Sequence, residues 1–213
     1  TDLEAPRGRL VAIDLESPGR DAWQELIPQH DDTLDSVALV GDRFLASYLH
    51  HASSKVRRHS LDGALEGELE LPGIGTAAGF GGRREHSDTY FVFTSFTRPS
   101  TVYRYEVEAN VAEVWRAPQV PFDPELYETR QVFVQSKDGT RVPLFLSHRK
   151  GLKPTGHPTY LYGYGGFNIP LTPVFSVSQL VWMELGGVFA VACLRGGGEY
   201  GEDWHQGGIL GNK

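Results

Sequence analysis

Cysteine is almost absent from this sequence of 213 residues. Cys193 is the single cysteine, and it lies within the apolar run from Val188 to Leu194. No disulfide can form inside the chain, so cysteine usage leaves the redox compartment open. A lone cysteine in such a run is expected to behave as a small buried hydrophobic residue. No apolar run approaches eighteen residues, and we therefore expect no membrane-spanning helix.

Positive charge is also in short supply. Lys and Arg number 20 against 27 Asp and Glu, for a net charge of −7. This balance argues against nucleic acid and against an anionic membrane as partners. No group of His, Cys, Asp and Glu has the spacing of zinc ligands, and we expect neither a metal nor a cofactor. A cytoplasmic location is expected, with the periplasm and secretion as open alternatives.

A nucleophilic serine in the pattern Gly-x-Ser-x-Gly is missing. Histidines do not complete a triad either, because in α/β-hydrolases the order is Ser, acid, His. His50 and His51 lie at the end of a strand candidate and are expected to be solvated, and His205 is expected to have a structural role. These residues alone should not hydrolyse peptides.

What the first half does contain is an internal repeat. Three strand–turn–strand units, Arg9 to Pro28, Lys55 to Pro72 and Thr101 to Pro118, begin 46 residues apart. Further strand candidates, Phe44 to His50 and Tyr90 to Phe96, keep the same offset. A period in the forties with about four short strands is typical of a β-propeller blade. A plain antiparallel meander or sandwich with coincidental spacing is the alternative.

A propeller ring needs roughly four to eight blades. The repeat supplies about three, so we expect part of the ring to lie outside this sequence. Thr1 is not an initiator Met and follows no recognisable signal peptide, which fits the same expectation.

The composition changes near residue 120. The segment from Ala117 to Pro124 contains three prolines and predicts a linker. Asp138-Gly139, like Asp62-Gly63 in the propeller, predicts a type I′ hairpin. Pro143 predicts an edge position for its strand. Further elements are expected at 158–164 (strand), 176–185 (helix) and 188–194 (strand), which together form a βαβ unit. The predicted domains are therefore a partial β-propeller at residues 1–122, of about three blades, and the start of an α/β domain at 123–213.

The loop after the strand at 158–164 carries the most specific chemistry. It reads Tyr162-Gly163-Tyr164-Gly165-Gly166-Phe167. The glycines allow close approach of backbone to a ligand, and the Tyr164 phenol can donate a hydrogen bond to a developing oxyanion. An aromatic ring that simply packs beside glycines is the alternative role.

A second glycine loop follows the strand at 188–194. Gly196, Gly198 and Gly201 match the dinucleotide fingerprint GxGxxG. The residues that follow are rich in glycine and predict a poor phosphate-binding helix. A tightly shaped loop at the end of the sheet is the favoured interpretation.

Together, Tyr-Gly-Tyr-Gly-Gly-Phe-Asn at 162–168 and Arg-Gly-Gly-Gly-Glu-Tyr-Gly at 195–201 resemble the prolyl oligopeptidase family of S9 serine peptidases, and the resemblance spans essentially the whole chain. It implies a seven-bladed propeller that caps an α/β-hydrolase domain and restricts the entry of large folded substrates. It also implies hydrolysis of short peptides on the carboxyl side of proline. The Ser, Asp and His of the triad would lie outside this chain, beyond its last residue, in the remainder of the same enzyme.

The resemblance also assigns roles to individual residues. Tyr164 would be the side-chain donor of the oxyanion hole. Phe167 would line the proline-binding pocket, and Ile169 would flank it. Arg195, Gly196, Gly197 and Gly198 would shape the rim of the active site as structural residues. Two alternatives stay open, namely another S9 oligopeptidase of different specificity and a propeller binding module without catalysis.

Overall fold

The computed structural model describes residues 1–153 and 155–212. Within these ranges the chain forms fourteen strands, two α-helices and three short 3₁₀ turns. The elements are β1 (Leu10–Ala12), β2 (Gln24–Ile27), β3 (Thr33–Val40), β4 (Arg43–His50), β5 (Ser53–His59), β6 (Leu65–Glu68), β7 (Thr76–Gly81), β8 (Asp88–Thr94), β9 (Thr101–Glu106), β10 (Val111–Arg116), β11 (Tyr127–Gln135), β12 (Arg141–Arg149), β13 (Thr159–Tyr164), α1 (Val177–Glu184), β14 (Val188–Cys193) and α2 (Glu202–Gln206). No helix in this described part of the chain has the length and hydropathy of a membrane span.

The first half is built from antiparallel meanders. Strands β3 to β6 form one four-stranded sheet in sequence order, and β7 to β10 form the next. Strands β1 and β2 pair as a separate two-stranded sheet. The repeat predicted four strands per period, and this prediction is confirmed. The three repeated units correspond to β1–β2, β5–β6 and β9–β10. The second and third units are the last two strands of their four-stranded sheets, and the first forms the separate two-stranded sheet.

The two four-stranded sheets share one apolar core. Phe80 stacks on Phe91 with ring centroids 4.7 Å apart, and Phe91 stacks on Tyr103 at 5.1 Å. Offset stacking adds to the stabilisation that burial of the rings already provides. The buried members of this core are Val40, Leu45, Val56, Leu69, Ala77, Phe80, Phe91, Phe93, Tyr105 and Val107. The face-to-face contact of neighbouring blades therefore explains why the inward residues of these strands are apolar.

Both Asp-Gly hairpins exist, but their turn type differs from the prediction. In each turn the N–H of the glycine donates to the carbonyl three residues earlier, Gly63 to Ser60 at 2.9 Å and Gly139 to Ser136 at 3.0 Å. Only the glycine has a positive φ, whereas a type I′ turn needs two such residues. These are three-residue loops with a glycine bulge, and the type I′ prediction was wrong.

The second half contains one mixed sheet in the order β11-β12-β14-β13. Strands β13 and β14 are parallel and are joined through α1, which confirms the predicted βαβ unit. Strand β12 is central, so the edge position predicted from Pro143 was wrong. The pairing of β12 with β14 starts at Leu144, so Pro143 lies one residue outside it.

The two halves are packed against each other through a shared cluster. Ala52 and Phe96 come from the blades, and Phe145 and Phe189 come from the mixed sheet. The ring of Phe96 lies 5.6 Å from the rings of both Phe145 and Phe189 in edge-on contacts. Buried Cys193 belongs to this cluster, and burial raises the pKa of its thiol. The interface between the two halves thus includes the buried side chains of β14.

Candidate active site

Tyr164 is the last residue of β13 and lies at the carboxyl end of the parallel pair of strands. Its side chain is half-buried, and the chain turns sharply away after it. A Cβ built on Gly166 would lie 3.4 Å from the Tyr164 hydroxyl, so the phenol lies over this glycine. Within residues 1–153 and 155–212, the hydroxyl has no hydrogen bond and is not among the buried polar atoms. It is an accessible donor at the end of a strand.

Two glycine-rich loops pack backbone against backbone beside Tyr164. The Leu194 N–H donates to the Tyr164 carbonyl at 3.1 Å, and the Asn168 N–H donates to the Gly196 carbonyl at 3.1 Å. A Cβ on Gly165 would overlap the carbonyl oxygen of Arg195, and one on Gly196 would lie 2.6 Å from the carbonyl oxygen of Gly165. The glycines are needed because side chains would separate these loops.

Phe167 and Ile169 extend outward from the first loop. Phe167 is 85% exposed and Ile169 is 52% exposed. Phe167 and Asn168 have φ of 55° and 56°, and the Ile169 N–H donates to the Gly166 carbonyl at 3.1 Å. This is the geometry of a type I′ turn, in which a phenylalanine at positive φ is strained by about 1–3 kcal/mol. The turn leaves the aromatic ring of Phe167 in solvent, three residues after Tyr164 in the chain.

Arg195 connects the second loop to the β11–β12 hairpin. Its guanidinium donates to Asp138 at 2.6 Å. The N–H and hydroxyl of Thr140, followed by Arg195, lower the pKa of Asp138 to about 2. Asp138 therefore stays ionised across the physiological range and keeps the ion pair. The pair is exposed to solvent, so we expect it to orient the loop more than to stabilise the fold.

The residues that match the dinucleotide fingerprint do not form a phosphate cradle. The N–H groups of Gly196 and Gly201 donate to the carbonyls of Trp204 and Gly198. Helix α2 has only five residues, and its first turn carries Glu202 and Asp203. Amides that are already bonded and a negatively charged first turn both disfavour a bound phosphate.

His50 and His51 were expected to be solvated, but both are only partly exposed and each bonds to another side chain. His50 Nδ1 lies 2.6 Å from a carboxylate oxygen of Asp32, and His51 Nδ1 lies 2.8 Å from the Tyr200 hydroxyl. Burial, followed by the charge of His50, lowers the pKa of His51. His51 and Ala52 form the β4–β5 turn, and both have positive φ. This turn contacts the second glycine loop, which no local sequence signal indicates.

Sequence reasoning also missed Glu199, the most deeply buried charged side chain near the loops. It is 0% exposed, and its Oε1 accepts the Leu171 N–H at 2.8 Å. Burial raises the pKa of Glu199, and the N–H groups of Leu171 and of Glu199 itself lower it only in part. The indole of Trp204 also acts to lower this pKa, without completing a hydrogen bond of normal geometry to Oε2. A glutamate within a glycine motif would usually be assigned to solvent, because a buried carboxyl is costly.

Comparison with known proteins places this geometry in a family. The model "Prolyl oligopeptidase, N-terminal beta-propeller domain" matches residues 1–118. A prolyl endopeptidase of Elizabethkingia meningoseptica is 43% identical over 209 residues, which cover 98% of this chain and 30% of the relative. A prolyl endopeptidase of Dictyostelium discoideum is 33% identical over 227 residues, which cover 100% of this chain and 30% of the relative.

Solved structures agree in fold. A structure described in a mechanistic analysis of two prolyl endopeptidases superimposes with a TM-score of 0.93 at 45% identity, over 99% of this chain and 32% of that one. Prolyl oligopeptidase B from Galerina marginata, bound to a 35mer hydrolysis and macrocyclization substrate, superimposes with a TM-score of 0.88 at 31% identity, over 97% and 30%. The chain thus spans about 30% of the length of the curated relatives it matches. With more than half of its residues matched by the family model, the chain belongs to the prolyl oligopeptidase family.

Proposed function

We propose that this chain is part of a serine endopeptidase that hydrolyses short peptides on the carboxyl side of proline. Residues 1–122 form part of the propeller, with about three blades, and residues 123–213 form the start of the α/β-hydrolase domain. Relatives named prolyl endopeptidase and prolyl oligopeptidase support this activity. The triad of Ser, Asp and His comes from the remainder of the same enzyme, and this segment by itself is inactive.

The Tyr164 hydroxyl is the single observation that carries the proposal. It is unbonded and accessible, and it lies at the carboxyl end of a parallel strand, where α/β sheets bind their ligands. A donor that is positioned before the reaction stabilises charge that develops in the transition state. Tyr164 donates to the oxyanion of the tetrahedral intermediate, together with a backbone N–H from the nucleophile loop.

Phe167 and Ile169 form the wall of the proline-binding pocket. A proline ring offers apolar area and no N–H, so a flat aromatic surface suits it. Both side chains are exposed, as contacts with a substrate require, and they follow Tyr164 closely in the chain. Arg195, Gly196, Gly197 and Gly198 keep the two loops in register and form the rim.

The remainder of the enzyme packs against β13 and α1. Strand β13 is an edge strand, and its Tyr160 and Leu161 side chains are exposed. Val181 and Leu185, in and directly after α1, are exposed as well. A sheet edge with exposed apolar residues is suited to receive another strand. Further strands of the hydrolase sheet continue from this edge, and the closed propeller limits entry to short peptides.

The enzyme is cytoplasmic in this proposal. Its one cysteine, Cys193, is buried and free, so these residues contain no disulfide that needs an oxidising compartment. Fractionation of the source cells, with markers for cytoplasm and periplasm, tests the location.

The activity is tested with the full-length enzyme and chromogenic peptides that carry Pro, Arg or Ala before the leaving group. Cleavage after proline with kcat/KM at least about a hundredfold above the other two supports the proposal, since this corresponds to about 2.7 kcal/mol of discrimination. Preferred cleavage after arginine would assign the enzyme to another specificity. No cleavage of any peptide would indicate a binding module.

A further inference from the structure

The buried carboxyl of Glu199, a residue of the second glycine loop, contacts its own loop and the segment that follows the first glycine loop. Its Oε1 accepts the Leu171 N–H at 2.8 Å. A Cβ on Gly197 would overlap Oε2, so the glycine at 197 leaves the space that this carboxyl group occupies. Thr33, from the first blade of four strands, donates its hydroxyl to the Glu199 carbonyl at 3.3 Å. Glu199 thus links the propeller, the second glycine loop and the segment that follows Ile169.

The segment from Phe167 to Leu171 is held at its two ends. At the first end, the Asn168 N–H donates to the Gly196 carbonyl at 3.1 Å. At the second end, the Leu171 N–H donates to Glu199, and the Cys193 thiol donates to the Leu171 carbonyl at 3.5 Å. The strained residues Phe167 and Asn168 form the first of these ends. A turn with two side-chain-bearing residues at positive φ persists only when its surroundings hold it in place.

We infer that Glu199 is a positioning residue, which holds the Phe167–Leu171 segment so that Phe167 and Ile169 face the substrate. This rests on the proposed function, since it assigns Glu199 an effect on proline binding. Loss of the carboxyl leaves the Leu171 N–H buried without an acceptor, which costs free energy. The strained turn can relax so that this N–H finds another partner. The aromatic wall then shifts relative to Tyr164. Glutamine keeps a carbonyl oxygen that can accept the same bond.

The test uses Glu199→Leu and Glu199→Gln in the full-length enzyme with a chromogenic proline peptide. E199L is expected to raise KM by roughly 5- to 100-fold, the equivalent of one unsatisfied buried N–H, with a smaller change in kcat. E199Q is expected to stay within about threefold of the wild type. Glu202→Leu and Glu202→Gln are matched controls, because Glu202 lies at the start of α2 and bonds only to Gln206 among the described side chains. Both controls are expected to leave KM unchanged.

A double mutant separates positioning from general destabilisation. If Glu199 acts through Phe167, the KM of the variant with both E199L and F167A is close to that of the worse single mutant. A double-mutant KM equal to the product of the two single-mutant fold-increases would overturn the inference. An E199L variant with the wild-type KM would overturn it as well. If E199L does not fold, Glu199→Asp replaces it, since aspartate withdraws the carboxyl by one methylene. Failure of both to fold would establish a purely structural role and overturn the inference.

Hydrogen–deuterium exchange gives a readout that does not need activity. E199L is expected to speed exchange of the Leu171 amide by roughly 5- to 100-fold, while E199Q leaves it near the wild-type rate. If the variants show this exchange pattern but the wild-type enzyme does not cleave the proline peptide, the proposed function is refuted and the loop-holding role stands. Unchanged exchange in E199L would overturn the role itself.

Discussion

Replacing Tyr164 by phenylalanine in the full-length enzyme removes one oxygen atom and leaves the aromatic ring in place. In the described part of the chain, that oxygen has no hydrogen-bond partner and is not buried. Its loss therefore leaves no donor or acceptor unsatisfied in the folded protein. We expect the free energy of unfolding to stay within about 0.5 kcal/mol of the wild-type value.

The effect on catalysis is expected to be far larger. Loss of one oxyanion donor lowers kcat by roughly 100- to 1000-fold, which corresponds to about 2.7–4 kcal/mol of transition-state stabilisation. Because the donor acts on charge that is absent from the bound substrate, kcat and kcat/KM should fall by the same factor. Steady-state kinetics with a proline peptide measure both, and thermal unfolding measures stability in the same preparation.

Tyr162→Phe is the matched control. Tyr162 lies two residues earlier in β13, on the same face of the strand, and its side chain is exposed. Its hydroxyl should contribute little to turnover. Unchanged kcat in Y164F, or equal losses in the two variants, would refute the role of Tyr164 as the oxyanion donor.

Three further predictions follow from the same geometry. Phe167→Ala should raise KM for proline peptides and leave the thermal midpoint unchanged, because the ring is largely exposed; equal losses on peptides without proline would contradict the pocket assignment. Phe145→Ala should lower the free energy of unfolding by about 3–5 kcal/mol in denaturant titration, because this fully buried ring joins the two halves; a change below about 1 kcal/mol would contradict that packing. Burial lowers the pKa of His51, so the unfolded chain binds a proton more readily, and stability should fall as the pH drops below about 6.5. Melting temperatures between pH 5 and 8 should show this loss in the wild type and in the exposed control His86→Gln, but not in His51→Gln.

Much of the fold could be predicted because its causes are local. The 46-residue repeat indicated about four strands per period. The βαβ unit was recognisable from Val188 to Leu194, since a continuous apolar run is typical of a parallel strand covered on both faces. The turn type at Asp62-Gly63 and Asp138-Gly139 was not predictable, because the same dipeptide fits two loop lengths.

The candidate site also contains residues that the sequence indicated and residues that it did not. Tyr164 stands out in the sequence, since a strand followed by a glycine loop is a local pattern with a known use, whereas the roles of Phe167 and Ile169 came from the resemblance to the family. Their roles remain predictions until kinetics test them. His51 and Glu199 gave no comparable signal. Each has its decisive partner far along the chain, Tyr200 for His51 and Thr33 for the Glu199 carbonyl.

By itself, the order of residues determined the strand period, the hairpin positions, the βαβ unit and the glycine loops, because these depend on neighbours within a few residues. Tertiary structure alone decided that the β4–β5 turn reaches the second half, that Glu199 is buried, and that β12 is central. Those features depend on which segments, far apart in the sequence, pack against each other and exclude water. Hydrophobic burial has no direction along the chain, so only the folded arrangement reveals which side chains it brings into contact.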